Sequence, residues 1–187
     1  MHDAETKWRM QMCSGRLVTL NAMSIKDLSL DEIAHHLFMQ CRFGGATKRH
    51  YSVLEHSLIV ADQLPDDLKL RGLLHDANEA YTGDIIRPVK AHVGTEIRIV
   101  ALAIQDLIYR SAGLKRYDPL ELKEADDKVL YAEHLYLLET CWEESFWEYI
   151  SPEGTLPPEL FHMYPNDRSS MMSIWLNRVK EYAVCEF

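Results

Sequence analysis

Helix punctuation is the feature of this sequence that most narrows what it can fold into. Ser29-Leu-Asp-Glu32 sets a hydroxyl and a carboxylate three positions apart, the pattern that satisfies free amide groups at a helix start. It predicts a helix to about Cys41, with Ile33, Leu37 and Phe38 or Cys41 on one face. Ser52-Val-Leu-Glu55 repeats the pattern and predicts a second helix that stops before Pro65. A third is expected from near Asp66 to about Tyr81, carrying Leu70, Leu73, Leu74 and Ala77. Thr95 to Ala112 follows, with Gly113 as its stop. Asp118-Pro119, an N-cap and a first-turn proline, opens the longest helix, expected to continue to Ile150. A connection rich in proline (Pro152, Pro157, Pro158, Pro165) leads to a last helix from about Asp167 to Ala183. Only Leu17 to Leu20 has strand character, suited to a small hairpin. The expectation is an all-α chain, folded as a single compact helical domain.

Length and composition agree with that architecture. The 187 residues suit one domain, and 47% apolar with 26% charged residues permits a proper core. Asp and Glu number 29 against 20 Lys and Arg, a net charge of -9 that argues against a nucleic-acid polymer as partner. A small phosphorylated ligand needs only a few local cations. The longest apolar run, Ile99 to Ile104, is far short of the roughly 20 residues of a membrane span. No apolar leader stretch accompanies Asp3, Glu5, Lys7 and Arg9. Cys13, Cys41, Cys141 and Cys185 form no CxxC pair, which is the pattern of reduced thiols in a cytoplasmic protein.

The informative positions are polar residues that interrupt apolar helix faces. His56 lies three residues from Val53 and three from Ile59, so it points inward with them. Taken alone, an inward histidine is more often a satisfied core residue than a ligand. His75-Asp76 follows Leu73-Leu74, and burying both is costly unless they pair or hold a cation. Asp126 shares a stripe with Leu122, Val129 and Leu130, whereas Asp127 points about 100 degrees away, with Lys123 as its partner. Two imidazoles and two carboxylates from three helices suit one Mn²⁺, Co²⁺, Fe²⁺ or Zn²⁺ ion.

The order of these residues resembles that of the HD-domain phosphohydrolases, in which H…HD…D from separate helices holds a metal. Arg42-Phe-Gly-Gly, Tyr51-Ser-Val-Leu-Glu-His56-Ser and Lys123-Glu-Ala-Asp126 are similar to that pattern. The stretch from His75 through Glu79 and Gly83-Asp84 to Pro88-Val-Lys90 resembles the 5′-deoxynucleotidase branch, with its HDxxExxxGD segment and following PxK. The likeness covers about residues 17 to 140 of one domain; the segment from about 150 to 187 adds a helical extension.

The resemblance implies that His56, His75, Asp76 and Asp126 hold one divalent ion per subunit, with Co, Mn, Zn, Fe and Ni all open. It implies that Glu79 is the catalytic acid or base and that Asp84 holds the attacking water or the leaving oxygen. Arg42 would bind the phosphate beside an aromatic residue, here Phe43 where tryptophan is usual in the bacterial enzymes. Arg87 and Lys90 either close over the substrate or offset local acidity, and Lys48-Arg49-His50 either steers an anion or is a solvated loop. The implied reaction is release of phosphate from deoxynucleoside 5′-monophosphates by metal-activated water. Alternatives are a triphosphohydrolase of the dATP-specific phage type, an alarmone hydrolase, and a silent nucleotide-binding regulator. A homo-oligomer is also expected, with the aromatic residues Trp142, Phe146 and Trp147 as core or interface.

Overall fold

The computed structural model describes residues 8–92, 94–141, 147 and 154–183. Its fold is all-α, with one two-stranded hairpin of β1 (Arg9–Gln11) and β2 (Leu17–Thr19) in antiparallel register, Met10 opposite Val18. The helices are α1 (Leu30–Met39), α2 (Val53–Asp62), α3 (Asp66–Leu74), α4 (Glu79–Thr82), α5 (Arg87–Lys90), α6 (Thr95–Ser111), α7 (Leu120–Leu137) and α8 (Arg168–Tyr182).

The starts follow the cap chemistry. Ser29, Ser52 and Asp167 each accept an amide hydrogen bond from the residue three positions on. The reciprocal half of the capping box is missing at α1 and α2, because Glu32 and Glu55 are buried and turn instead to Arg16 and Arg49. Helix α6 stops at Gly113, whose φ of 71° is costly for a residue with a Cβ. Asp118 does not cap α7. Its carboxylate accepts from Arg71 at 3.1 Å and Tyr109 at 2.8 Å, and Pro119 takes the N-cap position.

Helix α2 is the axis of the molecule: every residue from Val53 to Ala61 is buried. It packs on α1, α3, α7 and α8, and a helix covered all round has no solvent face to keep polar. It packs tightly on α3 at Gly72, where an added Cβ would lie 2.9 Å from Ala61 Cα and 2.7 Å from Leu64 Cδ1 just beyond α2. Trp175 of α8 is fully buried against this pair.

Two expected helices are shorter than periodicity predicts. The third breaks after Leu74, and α4 restarts at Glu79. Breaking a helix strands its last carbonyls, and three side chains take them up. His75 Nδ1 donates to Gly72 O at 2.8 Å, Trp175 Nε1 to Leu73 O at 3.1 Å, and Gln105 Nε2 to Leu74 O at 2.8 Å. The Gln105 carbonyl also accepts Asn78 N at 3.1 Å. Helix α7 ends at Leu137, not Ile150. Trp142, Phe146, Tyr149 and Pro152 lie outside the described residues, as do Cys185 and the acidic residues Asp3 and Glu5. Cys13, Cys41 and Cys141 are free thiols. Among the described residues no helix is long and apolar enough to cross a membrane.

Candidate metal centre and cleft

The break after α3 turns His75 and Asp76 toward α2 and α7. His56 Nε2 lies 3.1 Å from Asp126 Oδ1 and 3.7 Å from Asp76 Oδ2. His75 Nε2 lies 3.2 Å from Asp76 Oδ2 and 4.0 Å from Asp126 Oδ1. Donors around one small divalent ion stand about 3 Å apart at right angles and about 4 Å apart across it, given metal–ligand bonds of about 2.1 Å. The donor atoms of His56, His75 and Asp126 all fall within 4.8 Å of one another, so this cluster can hold a metal ion. Asp76 approaches both imidazoles but stands outside that group, and its Oδ2 is also 3.6 Å from Arg42 NH1.

The imidazoles are prepared for coordination by what their other nitrogens do. His56 Nδ1 is 2.6 Å from Glu133 Oε1, and His75 Nδ1 is 2.8 Å from Gly72 O. A carbonyl and an ionised carboxylate only accept, so each Nδ1 carries hydrogen and each Nε2 faces the cluster. Both Nε2 atoms are buried and lack a hydrogen bond of proper geometry, despite the nearby carboxylates. A buried polar atom without a partner is costly, and a cation at the common focus would remove that cost for both rings.

Electrostatics give the same requirement. Burial and the Arg42 charge oppose protonation of His56, yet Glu133 and Asp126 outweigh them and raise its pKa. Burial likewise opposes charge on His75, but Asp76 and Asp126 hold it up at about 10. Burial would raise Asp126, and the two imidazoles instead hold it down to about 2. The carboxylates thus favour positive charge at this point, which is the charge a divalent ion would supply.

Glu133 is the site residue that sequence reasoning passed over. It is fully buried and also accepts from Tyr51 OH at 2.7 Å and from Arg42 Nη2 at 3.0 Å. Burial works against its charge, but Arg42 and His56 hold it ionised. It stands seven residues after Asp126, two helical turns along the same face of α7. That spacing was the available signal.

Asp76 and Asp126 border a cleft of about 570 Å³, with the two imidazoles buried behind them. Arg42, Phe43, Glu79, Asp84, Arg87 and Lys90 all border it. Arg42 is two-thirds committed: Nε and Nη2 hold Glu133, and Nη1 faces Asp76. Phe43 has a φ of 56°, the only described non-glycine residue in that region, and faces Trp147 with ring centroids 6.3 Å apart. Glu79 Oε1 accepts from Lys90 Nζ at 2.9 Å, while Oε2 is buried without a partner. Burial, with Asp76 and Asp84 nearby, pushes Glu79 up to about 8 against the pull of Lys90. Burial also raises Asp84, with Arg42 and Lys90 opposing. Arg87 reaches Asp127 at 3.8 Å, and Lys123 pairs with Asp127 at 2.9 Å as expected. Arg49 is engaged by Glu55 and the Phe161 carbonyl, so it does not face the cleft.

No protein-family model matches the chain. Its sequence is similar to the "uncharacterized protein YfdR" of Escherichia coli K12, at 29% identity over 152 residues, 81% of this chain and 83% of that protein. It is also similar to the "uncharacterized protein RCAP_rcc00048" of Rhodobacter capsulatus, at 33% identity over 124 residues, 62% of this chain and 63% of that protein. The match therefore spans less than two thirds of the second relative. Neither name carries an activity.

Proposed function

We propose that this chain is an HD-type phosphohydrolase that releases orthophosphate from deoxyribonucleoside 5′-monophosphates. The supporting observation is the cluster behind the cleft wall, where two buried imidazole Nε2 atoms without a well-formed hydrogen bond approach Asp126 and Asp76, near two cleft acids of raised pKa. A divalent ion held by His56, His75, Asp76 and Asp126 would polarise a phosphoryl oxygen and lower the pKa of water.

The chain's own groups supply the rest. Arg42 Nη1 and Lys90 Nζ offer positive charge to a phosphate. Glu79, kept largely protonated near neutral pH, holds its proton on the carboxyl whose Oε2 has no partner. In hydrolysis a water oxygen forms the new bond to phosphorus, the bond to the 5′ oxygen breaks, and that oxygen takes a proton from Glu79. Asp84 receives the proton the water gives up. Phe43, Leu130, Leu138 and Trp147 make the other end of the cleft apolar, which suits a sugar and base.

Charge separates this reading from triphosphohydrolysis. Three cationic side chains border the cleft against three ionised carboxylates, with Glu79 protonated, so a divalent ion leaves two positive charges in excess. A monophosphate dianion matches that balance far better than a triphosphate. The test is hydrolysis of all four dNMPs and all four dNTPs by metal-reconstituted protein, with products resolved by chromatography. Nucleoside plus orthophosphate from dNMPs is the expected result. Nucleoside plus triphosphate from a dNTP would replace the reading, and tight nucleotide binding without turnover under any metal would make the protein a sensor.

A further inference from the structure

The segment that carries Asp84 is held by a residue 44 positions earlier in the chain. Between α4 and α5 the chain from Gly83 to Ile86 is irregular, and its one internal tie to α4 is Gly83 N to Glu79 O at 2.8 Å. Gly83 itself, with φ 80° and ψ 154°, lies where a residue with a side chain is strained. The next amide, Asp84 N, donates to Gln40 Oε1 at 2.9 Å. The same side chain returns a bond, since Gln40 Nε2 donates to Glu79 O at 2.8 Å.

Gln40 is well placed to serve as a fixed post. It ends α1 as the C-cap, and its own carbonyl accepts Val53 N at 3.1 Å, at the start of the helix that bears His56. Its neighbour Cys41 bridges Ser52, the cap of that helix. One uncharged amide therefore spans the backbone of both proton-handling acids and ties them to the metal-bearing helix. A carboxamide does not ionise at ordinary pH, so its contribution is geometric.

We propose that Gln40 is a positioning residue that sets Asp84 relative to Glu79. The proposal rests on the hydrolase reading above. Without the amide, Asp84 turns about Gly83 and its carboxyl leaves the place where the attacking water gives up its proton. A displacement of about 1 Å at such a group costs about 100-fold in rate.

The test compares Gln40→Leu, which removes both bonds, with Gln40→Glu, which keeps an acceptor for Asp84 N and loses the donor to Glu79 O. For Gln40→Leu the expected result is wild-type metal stoichiometry, KM for the best dNMP within about threefold, and kcat lower by about 10- to 100-fold. Gln40→Glu should recover part of that loss. If Gln40→Leu does not fold, a kcat for folded Gln40→Glu between one half and the full wild-type value would overturn the proposal, and a larger loss at full metal content would support it. A Gln40→Leu protein with unchanged kcat, or one whose rate falls only in step with its metal content, would overturn the positioning role alone. Wild-type protein that hydrolyses none of the nucleotides would overturn the hydrolase reading and this proposal with it.

Discussion

At the scale of single residues, the proposed function divides the site into groups that would hold an ion and groups that would move protons, and substitutions should separate the two. Asp126→Asn removes the carboxylate charge 3.1 Å from His56 Nε2 and is expected to lower metal content and activity together, measured by elemental analysis and turnover. Glu133→Gln touches neither ion nor substrate. It weakens the bond that fixes the His56 tautomer, and a loss of about 10- to 100-fold in metal affinity is expected. Unchanged affinity would remove Glu133 from any part in the site. Glu79→Gln should keep its metal and lose about 100-fold or more in kcat. The same variant carries a pH signature. The folded Glu79 titrates at about 8, above its unfolded value, so the unfolded chain binds fewer protons between about 4.5 and 8 and stability falls as pH rises through that window. Metal-free Glu79→Gln should therefore match wild type at pH 4 and exceed it at pH 9 by about 1–3 kcal/mol in urea unfolding. Equal stability at pH 9 would show that the carboxyl ionises freely in the fold.

At the scale of elements, the break between α3 and α4 decides where the ligands point. Local pattern predicts one helix through Tyr81, because Leu70, Leu73, Leu74 and Ala77 keep helical spacing. What overrides it is tertiary: Gln105 of α6 and Trp175 of α8 take the carbonyls that a continued helix would have used. No window of sequence around residue 75 contains those partners, so the break could not be read there. The caps, by contrast, are local chemistry, and Ser29, Ser52 and Asp167 were legible as helix starts for that reason. The meeting of His56, His75 and Asp126 was legible because polar residues on apolar stripes are rare; Glu133 was overlooked because its partners come from residues 77 to 91 positions away. Gln105→Leu leaves Asn78 N without its partner and Leu74 O with Ala77 N alone, an expected cost of about 1–3 kcal/mol with a matching fall in metal affinity. Gly72→Ala forces a methyl onto Leu64 and Ala61, and about 1–3 kcal/mol of destabilisation is expected in thermal or urea unfolding.

At the scale of the whole molecule, a buried central helix lets three other elements bring ligands and supporting groups to one point. The molecule's acidity is arranged around that plan, with Glu32, Glu55 and Glu133 buried on arginines and the cleft close to balance. Trp175 fills the space above α2 and α3, and Trp175→Ala should cost about 3–5 kcal/mol, enough to unfold a marginal domain. Its bond to Leu73 O joins residues 102 positions apart. That span has a consequence for synthesis. All four proposed ligands precede the Trp175 indole in the sequence, so during synthesis they emerge before the group that completes their turn. On the proposed function, metal selection would therefore belong to the finished fold, and an ion captured during translation would be chosen by availability instead of by the shape of the site.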